Sequence, residues 1–370
     1  MKVTATAAIL FFFVLSDVIA QSPSIDGDSL RNPFFIQSSL HYGFIIPHSS
    51  ELIPISNSNP VGVELEAGKV LRKRRSYQNC NCYARLGLSL QWMNFQNREV
   101  LGDALSLSIF GEPYLSLNPK FYTTFKGAVG VSYLNQVYDP LTNPENLFYS
   151  SEISFLLQVA LKLNYQLSDH WTLFLSGSYN HISNAGISQP NKGINYPTLS
   201  IGATYFPSKF KLTAQTKSLG LKKKKWRKYF WLSGHRKVLE SDSLNEESSF
   251  INIGLEAGVW RTITNINALT AGVELYFDGS VNNINKRDNE NYGPVTVGLS
   301  FGHALSFGRF SFTQAMVWYA YRTYPYNDAS FYQRYAIHYK VWKGLQLGAS
   351  LKAHGHVASH MDIRAGFVFK

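Results

Sequence analysis

The sequence predicts an all-β protein, a transmembrane antiparallel up-and-down β-barrel of about sixteen strands preceded by a cleaved signal peptide. Three observations predict it. Apolar and polar residues alternate with period two in long segments through most of the chain. Beyond the first twenty residues no apolar run reaches the roughly 18 residues that a spanning helix needs. Aromatic residues gather near the ends of the alternating segments, where the two membrane–water interfaces would lie.

The chain starts with Met1-Lys2, a short positive segment, followed by an apolar stretch over residues 7–15 that is too short to span a bilayer. Val18-Ile19-Ala20 then supplies the small residues at the −3 and −1 positions of a signal-peptidase site, so cleavage is expected before Gln21. Residues 1–20 are thus expected to be a signal peptide, 21–33 a periplasmic lead and 34–370 the barrel. The residue directly after the cut is Gln21 and not Cys, which argues against a lipoprotein anchor. Of the 370 residues 45% are hydrophobic, 15% aromatic and only 16% charged, with no linker of Pro/Gly/Ser character, so one large domain is the simplest expectation. The net charge of +11 fits an anionic lipid surface better than nucleic acid, which an exported protein seldom meets. Cys80 and Cys82 are two apart. On a strand they would point to one side, which predicts unpaired thiols, and two ligands alone make no zinc site.

The alternation is clearest in four places. Ile153, Phe155, Leu157, Val159, Leu161, Leu163 and Tyr165 form one face of a strand, against Ser154, Gln158, Lys162 and Asn164. Ile251, Ile253, Leu255, Ala257 and Val259 alternate with Asn252, Gly254, Glu256 and Gly258. Val295, Val297, Leu299 and Phe301, and later Leu345, Leu347, Ala349 and Leu351, repeat the pattern. Candidate girdle residues are Trp92, Phe95, Tyr133, Trp171, Trp318, Tyr319 and Tyr321. The final segment, Ile363, Ala365, Phe367 and Phe369, is the aromatic-ended terminal strand expected of an outer-membrane barrel. Strands are expected to begin near residues 34, 60, 83, 103, 121, 152, 170, 197, 227, 249, 267, 294, 308, 330, 343 and 361. The segment 227–240 is the least regular, and without it the count falls to about fourteen.

The connections sort by length. Short turns at Leu167-Ser168-Asp169, 262–265, Ser306-Phe307-Gly308 and Lys343-Gly344 follow even-numbered strands, while longer polar stretches at 139–150 and 278–292 follow odd-numbered ones. Short turns face the periplasm and long loops the exterior. Two connections break the rule, 69–78 and 207–225, and both carry basic runs: Arg72-Lys73-Arg74-Arg75 and residues 222–225. Such runs read as solvated or head-group-facing charge.

Asn180-His181-Ile182-Ser183-Asn184 is the segment with reactive character. His181 and Ser183 are two apart and so share a strand face with Trp171, Leu173, Leu175, Gly177 and Tyr179. That face is the apolar, lipid-facing one, near the external end of the seventh strand. Polar side chains there are costly unless they serve a purpose. An imidazole beside a hydroxyl forms a nucleophile–base pair for attack on an ester, and Asn184 offers a donor to a developing oxyanion. The same residues also fit an interfacial rim in hydrated head groups.

Asn180–Asn184, followed by Gln189-Pro190-Asn191-Lys192-Gly193-Ile194-Asn195, resembles the lipid A 3-O-deacylase (PagL) and acyloxyacyl hydrolase-like barrel family. Residues 42–48 and Leu351-Lys352-Ala353-His354 carry further resemblance to long, Bacteroidetes-type members. The resemblance implies an outer-membrane lipid A esterase with Ser183 as nucleophile, His181 as general base and Asn184 at the oxyanion. It implies the outer leaflet's lipopolysaccharide as substrate, in a Gram-negative outer membrane, and neither metal nor organic cofactor. One departure is evident. Short members place a Glu about fourteen residues after the His, where this chain has Asn195, which can orient an imidazole but does not stabilise imidazolium as a carboxylate does. Asp362 lies on the lumen face by parity and is no substitute. His354, His356 and His360 cluster near the end of the penultimate strand, where parity makes them lumen lining. The competing reading is a non-catalytic transport or structural barrel, because about sixteen strands would enclose an open lumen. A soluble secreted sandwich is a third.

Overall fold

The computed structural model describes residues 32–72, 82–116, 118–184, 188–211, 225–239, 248–264, 266–325, 329–355 and 357–369. The expected signal peptide, nearly all of the 21–33 lead, Cys80 and His356 lie outside them. Sixteen strands form. The first eight are β1 (Phe34–Gly43), β2 (Val61–Leu71), β3 (Ala84–Asn94), β4 (Asp103–Pro113), β5 (Phe121–Leu134), β6 (Ile153–Gln166), β7 (Trp171–Ser183) and β8 (Ile194–Tyr205). The second eight are β9 (Trp226–Leu239), β10 (Ser248–Thr262), β11 (Asn267–Phe277), β12 (Val295–Phe307), β13 (Phe310–Tyr321), β14 (Phe331–Trp342), β15 (Leu345–His354) and β16 (Val357–Phe369). One helix, α1 (Val281–Asp288), sits in the long connection after β11. The expected count therefore holds, including the irregular segment that became β9. The largest offset is at the last strand, expected near 361 and beginning at Val357.

The closure differs from expectation. The chain forms two closed barrels of eight strands, β1–β8 and β9–β16, and not one barrel over 34–370. β1 returns to β8 (Leu40 opposite Ile201), and β9 returns to β16 (Phe230 opposite Phe367). Period-two patterning says which face of a strand meets lipid but not which edges pair, so it reads the same for one barrel or two. The signal for two was the anomalous connection 207–225. Long where a periplasmic turn should be short, it joins β8 of one barrel to β9 of the next.

Within each strand the pleat sends alternate residues to lipid and lumen. On β7 Trp171, Leu173, Leu175 and Tyr179 are exposed, while Thr172, Phe174, Ser176, Ser178 and Asn180 are buried. Trp92, Tyr133, Trp171, Trp318 and Tyr321 are exposed, as girdle residues should be. Phe95 and Tyr319 correct the expectation. Phe95 is fully buried beneath the external rim, and the Tyr319 hydroxyl bonds His354 Nε2 inside the second barrel at 2.9 Å. A bulge opposite Val297/Gly298 shifts the β13 parity, so Trp318 and Tyr321 both face out while Tyr319 turns in. Cys82 is disulfide-bonded, contrary to the expected unpaired thiols. It lies at a bend ahead of β3, where the same-side rule for strands does not apply.

An eight-stranded barrel is just wide enough for side chains to fill it. The first lumen is layered. Phe35, Val70, Tyr83, Phe110 and Tyr122 pack at the periplasmic end, and Ile45, Leu52, Met93, Phe95 and Tyr196 are among those that pack at the external end. Between them Glu64, Glu66 and Glu112 meet Arg85, Lys126 and Lys162. Lys126 Nζ lies 2.6 Å from Glu64 and 2.7 Å from Glu66, and Lys162 Nζ lies 3.2 Å from Glu66 and 3.1 Å from Glu112. The second lumen repeats the device. Arg334 lies 2.6 Å from both Glu274 and Asp362, and Arg364 2.6 Å from Glu256. Lys352 Nζ sits 4.2 Å from the Tyr332 ring centroid. The paired charges are stable in so narrow an interior because each meets an opposite charge, while Lys352 rests against aromatic faces.

Two outcomes follow from this packing. Neither lumen is expected to pass ions, so the purified protein in planar bilayers should show no unitary conductance steps; a stable open channel would contradict the filled interior. Lys126→Met strips Glu64 and Glu66 of their shared cation and should cost about 3–5 kcal/mol of stability. That loss should appear as a lower temperature for the folded-to-unfolded mobility change on gels, partly recovered by adding Glu66→Gln.

Candidate active site

β7 and β8 position the reactive residues by register alone. His181 on β7 stands opposite Asn195 on β8 and opposite Leu157 on β6, so all three project from the outer wall in one row. Ser183 is two residues further along β7, on the same face and closer to the external rim. The inward neighbours of this row are Ile182, Ile194 and Tyr196, all fully buried in the apolar cluster under the rim. That packing holds the backbone on both sides of the row and so the side chains above it.

The side chains meet. His181 Nδ1 is 2.7 Å from Asn195 Oδ1, and His181 Nε2 is 3.1 Å from Ser183 Oγ. The amide oxygen can only accept, so Nδ1 carries the imidazole proton and Nε2 is left to accept from the Ser183 hydroxyl. A hydroxyl donating to the free nitrogen of a neutral, oriented imidazole is the arrangement that general-base activation requires. Ser183 and Asn195 are each only 8% exposed although they face outward, and Gly193 packs against His181 and Ser183.

That connection is tied down at several points. Lys192 and Gly193 donate backbone bonds to the carbonyls of Leu147 and Phe148, joining it to the neighbouring external loop. Gly193 has φ +70°, and a Cβ there would lie 2.7 Å from His181 Cε1 and 3.2 Å from Ser183 Cβ. Both the left-handed backbone and the contact with the pair demand glycine.

Asn184 departs from expectation. Parity turns it inward, away from the face that carries Ser183, and it is fully buried. Its N–H donates to Asn191 Oδ1 at 3.0 Å, and its side-chain NH2 lies 2.8 Å from the Ser188 carbonyl and 3.4 Å from Ser150 Oγ. Its hydrogens therefore hold the loop together in place of pointing at a reacting group. Asp362 belongs to the other barrel and is engaged by Arg334 and Ser350. His360 stacks on His235 with ring centroids 3.7 Å apart inside the second barrel, and His354 bonds Tyr319 and Ser359. Among the described residues no group of three His, Cys, Asp or Glu side chains converges as metal ligands would.

Residue-type reasoning passed over His48. Hydrogen bonds from Phe44 N to the Pro197 carbonyl and from Ile46 N to the Asn195 carbonyl carry the β1 backbone on beside β8. The outward face of β1 thereby extends through Phe44 and Ile46 to His48, whose Nδ1 lies 3.3 Å from Asn195 Nδ2. The alternation Tyr42, Phe44, Ile46, His48 is visible in the sequence and was the available signal.

An apolar groove of about 610 Å3 opens on the same wall next to the row. Tyr179 and Pro197, one pleat in from His181 and Asn195, line it together with Tyr42, Phe125, Leu161 and Leu199. Its floor is Gly177, around whose Cβ position there is open space. A concave apolar trough beside a few convergent polar groups is the form of a binding site for a largely apolar ligand.

Two family profiles match this chain: lipid A 3-O-deacylase (PagL) over residues 64–204, and acyloxyacyl hydrolase, C-terminal domain, over residues 226–370. The first match contains His181, Ser183, Asn184 and Asn195, and the second spans β9–β16. Among solved structures, the outer membrane enzyme PagL is 15% identical, with TM-score 0.33, over 45% of this chain and 97% of that one. Neisserial surface protein A is 12% identical, with TM-score 0.31, over 48% and 97%. A mutant porin of Rh. blastica is 11% identical, with TM-score 0.20, over 91% and 100%. No curated protein matches the chain.

Gly193→Ala is expected to push the imidazole off Ser183. Labelling of Ser183 by an organophosphonate that modifies only activated serine hydroxyls should then drop about tenfold or more, the worth of one lost hydrogen bond to that hydroxyl. Undiminished labelling would show that the close packing of Gly193 is immaterial to the pair.

Proposed function

The chain belongs to the lipid A 3-O-deacylase (PagL) and acyloxyacyl hydrolase-like family of outer-membrane barrels, and from that membership we propose that it removes an ester-linked acyl chain, the one at the 3-position, from lipid A of the outer leaflet, with Ser183 as nucleophile. The observation that carries this reading is His181 held between Ser183 Oγ and Asn195 Oδ1 on the lipid-facing wall.

In this reading the lipid stays in its leaflet and the acyl chain lies along the groove over Gly177, which brings its ester to the rim. Ser183 Oγ attacks the carbonyl carbon as its proton passes to His181 Nε2. The tetrahedral intermediate collapses, the sugar alkoxide takes the proton from His181, and the acyl group remains on Ser183. Water then attacks the acyl-enzyme with His181 again as base, and the free fatty acid leaves. Asn195 keeps the proton on Nδ1 throughout. As a neutral amide it offers less to the imidazolium than a carboxylate would. Asn184 contributes through the loop that it ties. In the second barrel the lipid-facing side of β15 reads Leu347, Ala349 and Leu351, and the imidazole–hydroxyl contact at its external end, His354 Nδ1 to Ser359 Oγ at 2.7 Å, has the Tyr319 hydroxyl on the other imidazole nitrogen in place of an amide.

Mass spectrometry of lipid A from cells carrying the wild-type chain, Ser183→Ala or His181→Ala tests the reading. The wild type should yield lipid A one acyl chain short, and each variant should slow deacylation about a hundredfold or more. Identical acylation in all three would sink it. Gly177→Trp fills the groove without a clash, so it should slow cleavage of long-chain lipid A while leaving that of a short-chain soluble ester close to normal.

A further inference from the structure

Asn195 raises a problem that a carboxylate in its place would not. A carboxylate presents an acceptor to His181 whichever way it is turned. An amide has one acceptor end and one donor end of nearly equal size, so packing does not choose between them; only the hydrogen-bond partners do. With Oδ1 toward His181, the imidazole is protonated on Nδ1 and Nε2 is free to take the Ser183 proton. With Nδ2 toward His181, Nδ1 must be the acceptor. The proton then sits on Nε2, facing Ser183 as a donor, and the base is gone.

The group on the far side of the amide is His48. Its Nδ1 lies 3.3 Å from Asn195 Nδ2, an atom that can only donate, so His48 accepts there. The backbone delivers it to that place. Bonds from Phe44 and Ile46 to the carbonyls of Pro197 and Asn195 fix the preceding residues against β8, and a Glu51–Lys192 ion pair joins the segment just after His48 to the loop before β8. The short 3-10 turns at Ser50–Leu52 and Pro54–Ser56 then anchor that segment through Leu52 and Ile55 in the rim cluster. Ser183, His181, Asn195 and His48 thus form one continuous line of hydrogen bonds across β7, β8 and the extension of β1.

We propose that His48 is a positioning residue for the esterase: by accepting from the Asn195 amide it sets which end of that amide meets His181, and through it the tautomer of the base. This rests on the assignment of Ser183 and His181 as the reacting pair. The contact of His48 that bears on the pair is the one with Asn195.

A mutant cycle on the full-length protein in detergent or outer-membrane vesicles tests it, with kcat and KM measured on lipid A. His48→Ala should lower kcat about tenfold, the worth of one hydrogen bond, with KM little changed. His48→Asn, whose Oδ1 can occupy the position of the imidazole Nδ1, should restore most of the loss. Asn195→Asp removes the need for orientation, so adding His48→Ala to it should cost almost nothing. An equal loss in both backgrounds would mean that His48 merely supports the fold, and the proposal would fall. It would fall equally if His48→Ala left kcat at the wild-type value.

A readout independent of turnover separates this from failure of the esterase reading. Nitrogen-15 spectra of the labelled imidazoles should show His181 protonated on Nδ1 in the wild type and shifted toward Nε2–H in His48→Ala. An unchanged tautomer would overturn the positioning role. Should the wild type hydrolyse no lipid A, the esterase reading falls, and the tautomer measurement alone decides the role of His48.

Discussion

Lipid offers the backbone no hydrogen bonds, and the rest of this structure depends on that constraint. Every N–H and C=O within the hydrocarbon must find a partner inside the protein, which for strands means a sheet without edges. The chain meets the requirement twice, closing β1 on β8 and β9 on β16. Closure at eight strands then dictates the interior. The bore is too narrow for a water column and wide enough for side chains, so charges inside it must be matched within the protein. The Glu64/Glu66/Glu112 set against Arg85, Lys126 and Lys162 is one solution, and Glu256/Glu274/Asp362 against Arg334 and Arg364 is another.

With both interiors filled by side chains, the reactive-looking polar groups lie on the outer wall. There the same pleat that hides Asn180 and Ile182 projects His181 and Ser183 toward lipid, and register supplies Asn195 beside them. Position along the strand matters as much as face. Two pleats deeper, at Gly177, the wall is apolar and suits an acyl chain. Near Ser183, Lys192 and Gly193 tie the β7–β8 connection to the neighbouring loop at Leu147 and Phe148. The rim cluster beneath the row makes this more than a chance meeting, since Ile182, Ile194 and Tyr196 lock the backbone from the inside.

The two barrels differ at their external ends. Their architecture and their buried ion sets correspond, but the imidazole at the end of the seventh strand meets a serine and an asparagine in the first, His181 with Ser183 and Asn195, and a serine and a tyrosine in the second, His354 with Ser359 and Tyr319. In the second, the seventh and eighth strands join through a short connection that includes Gly355, with φ +64°, where the first has the longer connection 184–193.

Strand number, strand boundaries and the outward placement of His181 and Ser183 were all legible from sequence, because they follow from period-two alternation, a local property set by the pleat. The partnership of His181 with Asn195 was suggested by resemblance and needed the β7–β8 register to become a contact. What lay beyond the sequence was nonlocal. Alternation does not say which edges pair, so the single barrel expected over 34–370 is two, and the misfit connection 207–225 was its one trace. The inward turn of Asn184 depends on how a loop folds back on itself. The meeting of His48 with Asn195 joins residues 147 apart, and only closure of β1 on β8 brings them side by side. The sequence by itself determined what each strand shows to lipid; the tertiary structure alone decided which strands are neighbours, because pairing is settled by closure and not by any segment's own pattern.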